Sequence, residues 1–209
     1  MIKVLIADDH IMVRRGLKQI LDLDDQVEVV AEADDGKAAL SLVQICTVDV
    51  VVLDITMPGR NGLETLKDLK RLRPALPVIV LSMHPADQYA VRMLRAGAAG
   101  YISKESAPEE LVKAIKKAYR GEKYINPLVA ELLASYVEIL DSNEPHEALS
   151  DREFEVFVSI GSGKSVSQIS EELFLSVKTV STYRSRIIEK TGLATNAAII
   201  RYCLDRKLC

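Results

Sequence analysis

The sequence predicts an α/β protein, a doubly wound (βα)5 parallel sheet, followed by a smaller all-α four-helix domain. Apolar runs of strand length recur at residues 4–7, 27–31, 48–53, 78–81 and 99–102, and Val and Ile dominate them. The runs are continuous rather than alternating, as suits strands buried on both faces of a parallel sheet. Past residue 148 the pattern changes to four helix-start signals within about 60 residues.

The elements follow in order. Val13, Leu17, Ile20 and Leu21 share one helical face after the first strand. Leu63, Leu66, Leu69 and Leu72 make a second stripe after the third strand. Leu111, Ile115 and Ala118 make a third, with Pro108 near the helix start. Strand and helix alternate, which predicts right-handed crossovers. The unit closes near Arg120-Gly121, so residues 1–120 form the first domain. Residues 121–147 connect the two domains. Within them Asn126 reads as an N-cap and Pro127 as the first helical residue of an amphipathic helix over 128–140. Residues 141–147 are polar and broken by Pro145, so they read as a linker with His146 in solvent.

Residues 148–209 form the second domain. Ser150 with Glu153, and Ser165 with Gln168, are capping boxes. Ser176 starts a third helix that runs to Lys190 and stops at Gly192. Thr195 starts a fourth, which ends near Arg206. Only Leu175-Ser176 separate the second and third, the spacing of a helix-turn-helix.

Composition is that of an ordinary soluble protein, 48% hydrophobic and 27% charged over 209 residues. No apolar run approaches the roughly 18 residues that span a bilayer, so no membrane role is expected. The start, Met1 to Ile6, is too short for a secretion signal before it turns acidic. Cys46, Cys203 and Cys209 are odd in number and lack metal-site spacing, so they read as reduced thiols of a cytoplasmic protein. The net charge of -3 is unevenly spread. Residues 148–209 hold nine Lys/Arg against seven Asp/Glu, and the rest eighteen against twenty-three. A mildly basic tail on an acidic body agrees with a nucleic-acid partner.

Asp8, Asp9, Asp54, Ser82 and Lys104 fall at the carboxyl ends of four different strands, where open parallel sheets bind ligands. Three crowded carboxylates repel one another and call for a cation. Oxygen ligands alone favour Mg2+. Asp54 is central and can act as a nucleophile toward phosphorus. Lys104 and the metal would offset charge on the phosphoryl oxygens, and Ser82 could donate a hydrogen bond to one.

The third helix of the tail places Val177, Val180, Arg184 and Ile187-Ile188 on one stripe, expected as core, with the Arg184 stem lying over it. Lys178, Ser181, Thr182 and Ser185 lie opposite. Small hydroxyl side chains let a helix sit deep in the major groove. Lys178, Arg184, Arg186 and Lys190 can reach flanking phosphates. The same pattern also suits an ordinary polar face.

Residues 1–120 resemble a response-regulator receiver domain. The matching elements are Asp8-Asp9, the stretch from Leu53-Asp54 to Pro58-Gly59, Gly62, Ser82, Ala96-Gly97-Ala98 and Lys104. The resemblance implies phosphorylation of Asp54 by a sensor histidine kinase. It implies Mg2+ held by Asp9, Asp54 and the Thr56 carbonyl with help from Asp8, and a coupled movement of Ser82 and Tyr101. Thr56 and His84 match positions that set phosphate lifetime. The chain departs at Glu105, where the family often has proline. Residues 148–207 resemble the LuxR-type helix-turn-helix of the NarL/FixJ class, on Leu149 to Glu153, Ile169-Ser170 and Leu175 to Val180. By that likeness Ser181, Thr182 and Ser185 face bases, while Lys178 and Lys190 touch backbone. It departs at Ser167-Gln168, where relatives often carry a basic residue. The expected protein is a transcription regulator that phosphorylation gates, by loosening a contact between its halves so that effectors pair as a homodimer on double-stranded promoter DNA.

Two rivals remain at this level. A Mg2+-dependent aspartyl phosphatase shares the nucleophile but commonly has an acid two residues later, where this chain has Thr56. A protein-docking bundle would explain the tail without DNA. Gly161 to Ser165 mimics the end of a P-loop, but Val158 stands where another glycine is needed and a helix, not a strand, precedes it.

Overall fold

The computed structural model describes residues 1–57, 62–83, 88–139, 144–206 and 208. The expectations for Pro58, Gly59, His84, Cys209 and the start of the linker lie outside them. The chain divides into two compact units, Met1–Leu133 and Ala134–Cys209.

In the first unit, five strands run β1 (Ile2–Ala7), β2 (Val27–Ala33), β3 (Val50–Asp54), β4 (Val78–Ser82) and β5 (Gly100–Ser103). They form one parallel sheet in the order β2-β1-β3-β4-β5. The helices between them are α1 (Ile11–Leu21), α2 (Gly36–Ile45), α3 (Gly62–Leu72), α4 (Gln88–Arg95) and α5 (Ala107–Tyr119). Strand alternation splits the apolar residues into two layers. Val4, Ile6, Val50, Val52, Ile79 and Leu81 pack against Leu17 and Leu21 of α1 and Leu111 and Ile115 of α5. Leu5, Ala7, Val51, Leu53, Val78 and Val80 pack against α2, α3 and α4. The continuous Val/Ile runs therefore serve both faces. β3 starts at Val50 rather than at Val48; just before it the Asp49 side chain accepts the Lys3 N–H at 2.9 Å and the Asp49 N–H donates to the Lys3 carbonyl at 2.8 Å.

A sixth helix, α6 (Pro127–Ile139), begins as expected: Asn126 Oδ1 accepts the Val129 N–H at 2.9 Å. Val129 is buried and Leu133 half-buried in the α2–α4 layer, so the start of this helix belongs to the first unit.

The second unit holds α7 (Asp151–Gly161), α8 (Val166–Glu172), α9 (Val177–Thr191) and α10 (Asn196–Asp205). Side chains of Ser165, Ser176 and Thr195 cap their helices, and Gly192 closes α9 in the left-handed region at φ 72°. Phe154, Phe157, Ile169, Val180, Ile187, Ile199 and Cys203 are buried. Three expectations change. The turn joining α8 to α9 spans 173–176 rather than two residues, and Phe174 adopts φ 54° within it. Val177 is 52% exposed rather than core, because it sits at the open first position of α9 while Val180 and Ile187 carry the packing. His146 is buried, not solvated: a 3-10 turn over Pro145–Ala148 carries it against Phe154 and Tyr202.

Candidate functional site

The strand order reverses between β1 and β3, so their following helices, α1 and α3, cover opposite faces. A crevice opens at the carboxyl ends of those two strands. Asp8 directly follows β1, and Asp54 is the last residue of β3. Ser82 ends β4, and Lys104 follows β5, its N–H donating to the Ser82 carbonyl at 2.7 Å. Gly62 makes this crowding possible. A Cβ there would lie 2.5 Å from Ile55 Cα and 2.7 Å from the Asp54 carbonyl oxygen. Glycine lets α3 start directly against the strand that carries Asp54.

Asp8 and Asp54 are essentially inaccessible, at 0% and 1% exposure. Lys104 Nζ reaches into the crevice and lies 2.7 Å from Asp8 Oδ2 and 2.9 Å from Asp54 Oδ2. Burial pushes the Asp54 carboxyl up to about 6; Lys104 opposes this and the Asp8 charge adds to it. Burial also works against the Lys104 charge, but Asp54 and Asp8 outweigh it and hold the ammonium above the ordinary lysine range. Asp8 Oδ1 accepts the His10 N–H at 2.8 Å, and Arg14 Nη1 donates to the Asp8 carbonyl at 2.7 Å. Asp54 Oδ1 is buried with no hydrogen-bond partner. An orphaned buried carboxylate oxygen is costly, and a divalent cation would relieve it. Donor atoms from Asp8, Asp9, His10 and Asp54 lie within 4.8 Å of one another. The donor set fits a hard divalent ion. Thr56 is half-buried two residues past Asp54. Ser82 and Tyr101 are both buried, at 2% and 1% exposure. His10 and Arg14 escaped the sequence analysis, although His10 directly follows the acidic pair.

In the second unit, Lys178, Ser181, Thr182, Ser185 and Arg186 are exposed along α9. The three small hydroxyls donate to the carbonyls of Val177, Lys178 and Ser181 one turn back, at 2.9, 2.9 and 3.2 Å. Each hydroxyl oxygen keeps its lone pairs available to a further donor. A shallow cavity of about 290 Å³ is lined by Lys178, Thr179, Thr182, Tyr183 and Arg186. Two expected phosphate contacts already have protein partners. Arg184 Nε donates to Asn196 Oδ1 at 2.7 Å, tying α9 to α10. Lys190 Nζ lies 2.6 Å from Glu153 Oε2. In the P-loop mimic, Lys164 Nζ bonds both carboxylate oxygens of Glu172 at 2.6 Å, within an interhelical turn.

Comparison with known proteins agrees with this geometry. Residues 4–116 match the response regulator receiver domain, and residues 147–203 match the luxR family of bacterial regulatory proteins. Response regulator UvrY of Escherichia coli is 37% identical over 210 residues, covering 100% of this chain and 96% of that protein. The oxygen regulatory protein NreC of Staphylococcus carnosus is 36% identical over 213 residues, covering 99% and 98%. The structure of Salmonella RcsB bound to a promoter with a phosphomimetic superposes at TM-score 0.66 and 28% identity, covering 96% of this chain and 97% of that one.

A buried acidic crevice on a five-stranded parallel sheet, joined to a four-helix unit with an exposed polar helix, defines a receiver coupled to a regulatory domain. The chain belongs to the two-component response regulators, with a receiver domain and a LuxR-type DNA-binding domain. It is a transcription regulator rather than a phosphatase or a docking bundle, and it has the acidic pocket at which receiver domains bind Mg2+.

Proposed function

We propose that Asp54 is the phosphoacceptor, supplied by a sensor histidine kinase, and that its modification raises the affinity of the helical domain for promoter DNA. The observation that carries this reading is the pairing of Lys104 Nζ with both Asp8 and Asp54, while Asp54 Oδ1 has no hydrogen-bond partner. Lys104 holds a buried carboxylate in place and stands ready to receive a phosphoryl oxygen. Asp9, Asp54 and the Thr56 carbonyl hold Mg2+, with Asp8 assisting. When bound, that ion offsets charge on the phosphoryl oxygens. Ser82 then hydrogen-bonds the phosphoryl group, and Tyr101 repacks with it. Thr56 and His84 set how fast water removes the phosphate.

The domain bounds of this reading are 1–120 for the receiver, 121–147 for the connector and 148–209 for the DNA-binding domain. Ser181, Thr182 and Ser185 face base edges, and Lys178, Arg184 and Lys190 support the phosphate contacts. The working form on DNA is a homodimer reading two half-sites, in the cytoplasm. No helix among the described residues is long and apolar enough to cross a membrane.

Incubation with acetyl phosphate and Mg2+ tests the reading. The expected result is a mass gain of one phosphoryl group mapping to Asp54, absent in Asp54→Asn, together with tighter binding to selected genomic fragments. Modification elsewhere, or none, overturns it.

A further inference from the structure

We infer that Phe174 and Val177 form an apolar corner at the amino end of α9 that reads the 5-methyl groups of thymines in the major groove. This rests on the DNA-binding reading above and adds to it a base class and two residues.

Among the described residues of the second unit, three large hydrophobic side chains are mainly exposed: Phe174 at 54%, Val177 at 52% and Leu204 at 62%. Phe174 and Val177 lie on either side of the N-cap Ser176, so two of the three stand at one corner. Phe174 also holds an unusual backbone. Its φ of 54° lies in the left-handed region, which glycine or asparagine enters at less cost than a bulky aromatic. The turn that closes α8 requires this conformation: the Phe174 N–H donates to the Glu171 carbonyl at 3.3 Å and the Leu175 N–H to the Ser170 carbonyl at 2.9 Å. A residue that strains the turn and leaves its ring half in water serves neither the turn nor the core.

The helix itself ties this corner to the polar face. Val177 is the first residue of α9, and the Ser181 hydroxyl donates to its carbonyl at 2.9 Å. The Ser185 hydroxyl donates in turn to the Ser181 carbonyl at 3.2 Å. Residues four apart stack on one helix face, so Val177, Ser181 and Ser185 make a single stripe. Its two serines are those assigned to base edges. Val177 is the apolar end of the same stripe, and Phe174 lies just beyond it. Ser176, between them, is committed to capping: its hydroxyl accepts the Thr179 N–H at 3.0 Å.

The chemistry of the groove selects the base. Thymine alone presents a methyl group there, while the other base edges offer donors and acceptors. An apolar corner continuous with a base-facing stripe therefore gains most against thymine. Shielding one methyl from water is worth about fourfold in affinity.

The test uses the full-length chain, treated with acetyl phosphate and Mg2+, and the fragment it selects from a random duplex pool. Thymines in that fragment are replaced one at a time by deoxyuridine, which removes the methyl and keeps the base pair. Wild type, Phe174→Gly and Val177→Ala are compared by shift assay. Glycine suits the left-handed backbone at 174, so that variant keeps its fold, and circular dichroism checks both. The expected result is a loss of about fourfold by the wild type at one or two thymines of each half-site, absent at the matching thymine in one variant or the other. Equal binding of thymine and uracil fragments by the wild type overturns the proposal. So does discrimination that survives both substitutions, which assigns the methyl contact to another side chain. Variants that weaken binding to both kinds of fragment equally also overturn it, because the corner would then pack on deoxyribose. If the wild type selects no fragment, the DNA-binding reading fails with it.

Discussion

Lys190 Nζ lies 2.6 Å from Glu153 Oε2, so the last turn of α9 is bonded to the first turn of α7. The same oxygen accepts the Ser150 N–H at 2.8 Å and the Ser150 hydroxyl at 2.9 Å. Burial opposes the Glu153 charge, but Lys190 and Ser150 together hold its carboxyl below the ordinary range. A depressed carboxyl contributes stability above its unfolded value, lost as pH falls through the folded one. Lys190→Gln should therefore lower the melting temperature of the helical domain at pH 7, and the loss should shrink toward pH 3. Its effect on DNA affinity should be smaller than that of Lys178→Gln, which should reduce the slope of log K against log salt by about one unit. Calorimetric melting and a salt-titrated shift assay check both.

Asp54 gives the opposite pH dependence. Its folded value of about 6 exceeds the ordinary 3.8, so ionising it destabilises the metal-free fold as pH rises through that window. Asp54→Asn should match the wild type near pH 4 and exceed it above pH 6, by on the order of 2–3 kcal/mol. Divalent cations should stabilise the wild type increasingly over the same interval, because metal and proton compete for one carboxylate. Denaturant melts with and without the ion measure this.

Gly62→Ala should disturb the site from behind. The added methyl would meet Ile55 Cα and the Asp54 carbonyl, both backbone atoms that cannot turn aside. A loss of about 1–3 kcal/mol is expected, with slower labelling of Asp54 by acetyl phosphate. Gly121→Ala is the control: its Cβ would meet open space, though its φ of 81° carries some strain.

Tyr202 OH donates to Glu144 Oε2 at 2.7 Å and sits 2.8 Å from His146 Nδ1, while Arg206 Nη1 pairs with Glu144 Oε1 at 2.8 Å. This network pins the end of the linker to α10. Tyr202→Phe should cost about 1–3 kcal/mol, because it removes a partner from each of two buried polar groups. Faster proteolysis near residue 144, with the receiver unaffected, is the second readout.

Thr182→Ala should leave stability nearly unchanged, since the residue is exposed. It should relax base preference at one position by about 1–3 kcal/mol. Selection of bound fragments from a random pool shows whether preference or only overall affinity changes.

Sequence alone determined the architecture and the place of the acidic cluster. Val/Ile runs of strand length set the parallel sheet, and the topology rule then put Asp8, Asp54, Ser82 and Lys104 at one edge despite their wide separation along the chain. The helix caps Asn126, Ser165, Ser176 and Thr195 were equally legible, because a cap acts on a backbone N–H only a few residues away. What only the tertiary structure decided are pairings between distant segments. His146 looked like a linker residue until Tyr202, 56 positions on, closed over it. Nothing local to Lys190 announced its ion pair with Glu153, 37 positions away. Val177 fitted the apolar stripe, yet as the first residue of α9 it is 52% exposed. Local patterns select backbone conformation, but which polar group meets which is settled by packing across elements whose spacing no periodicity records.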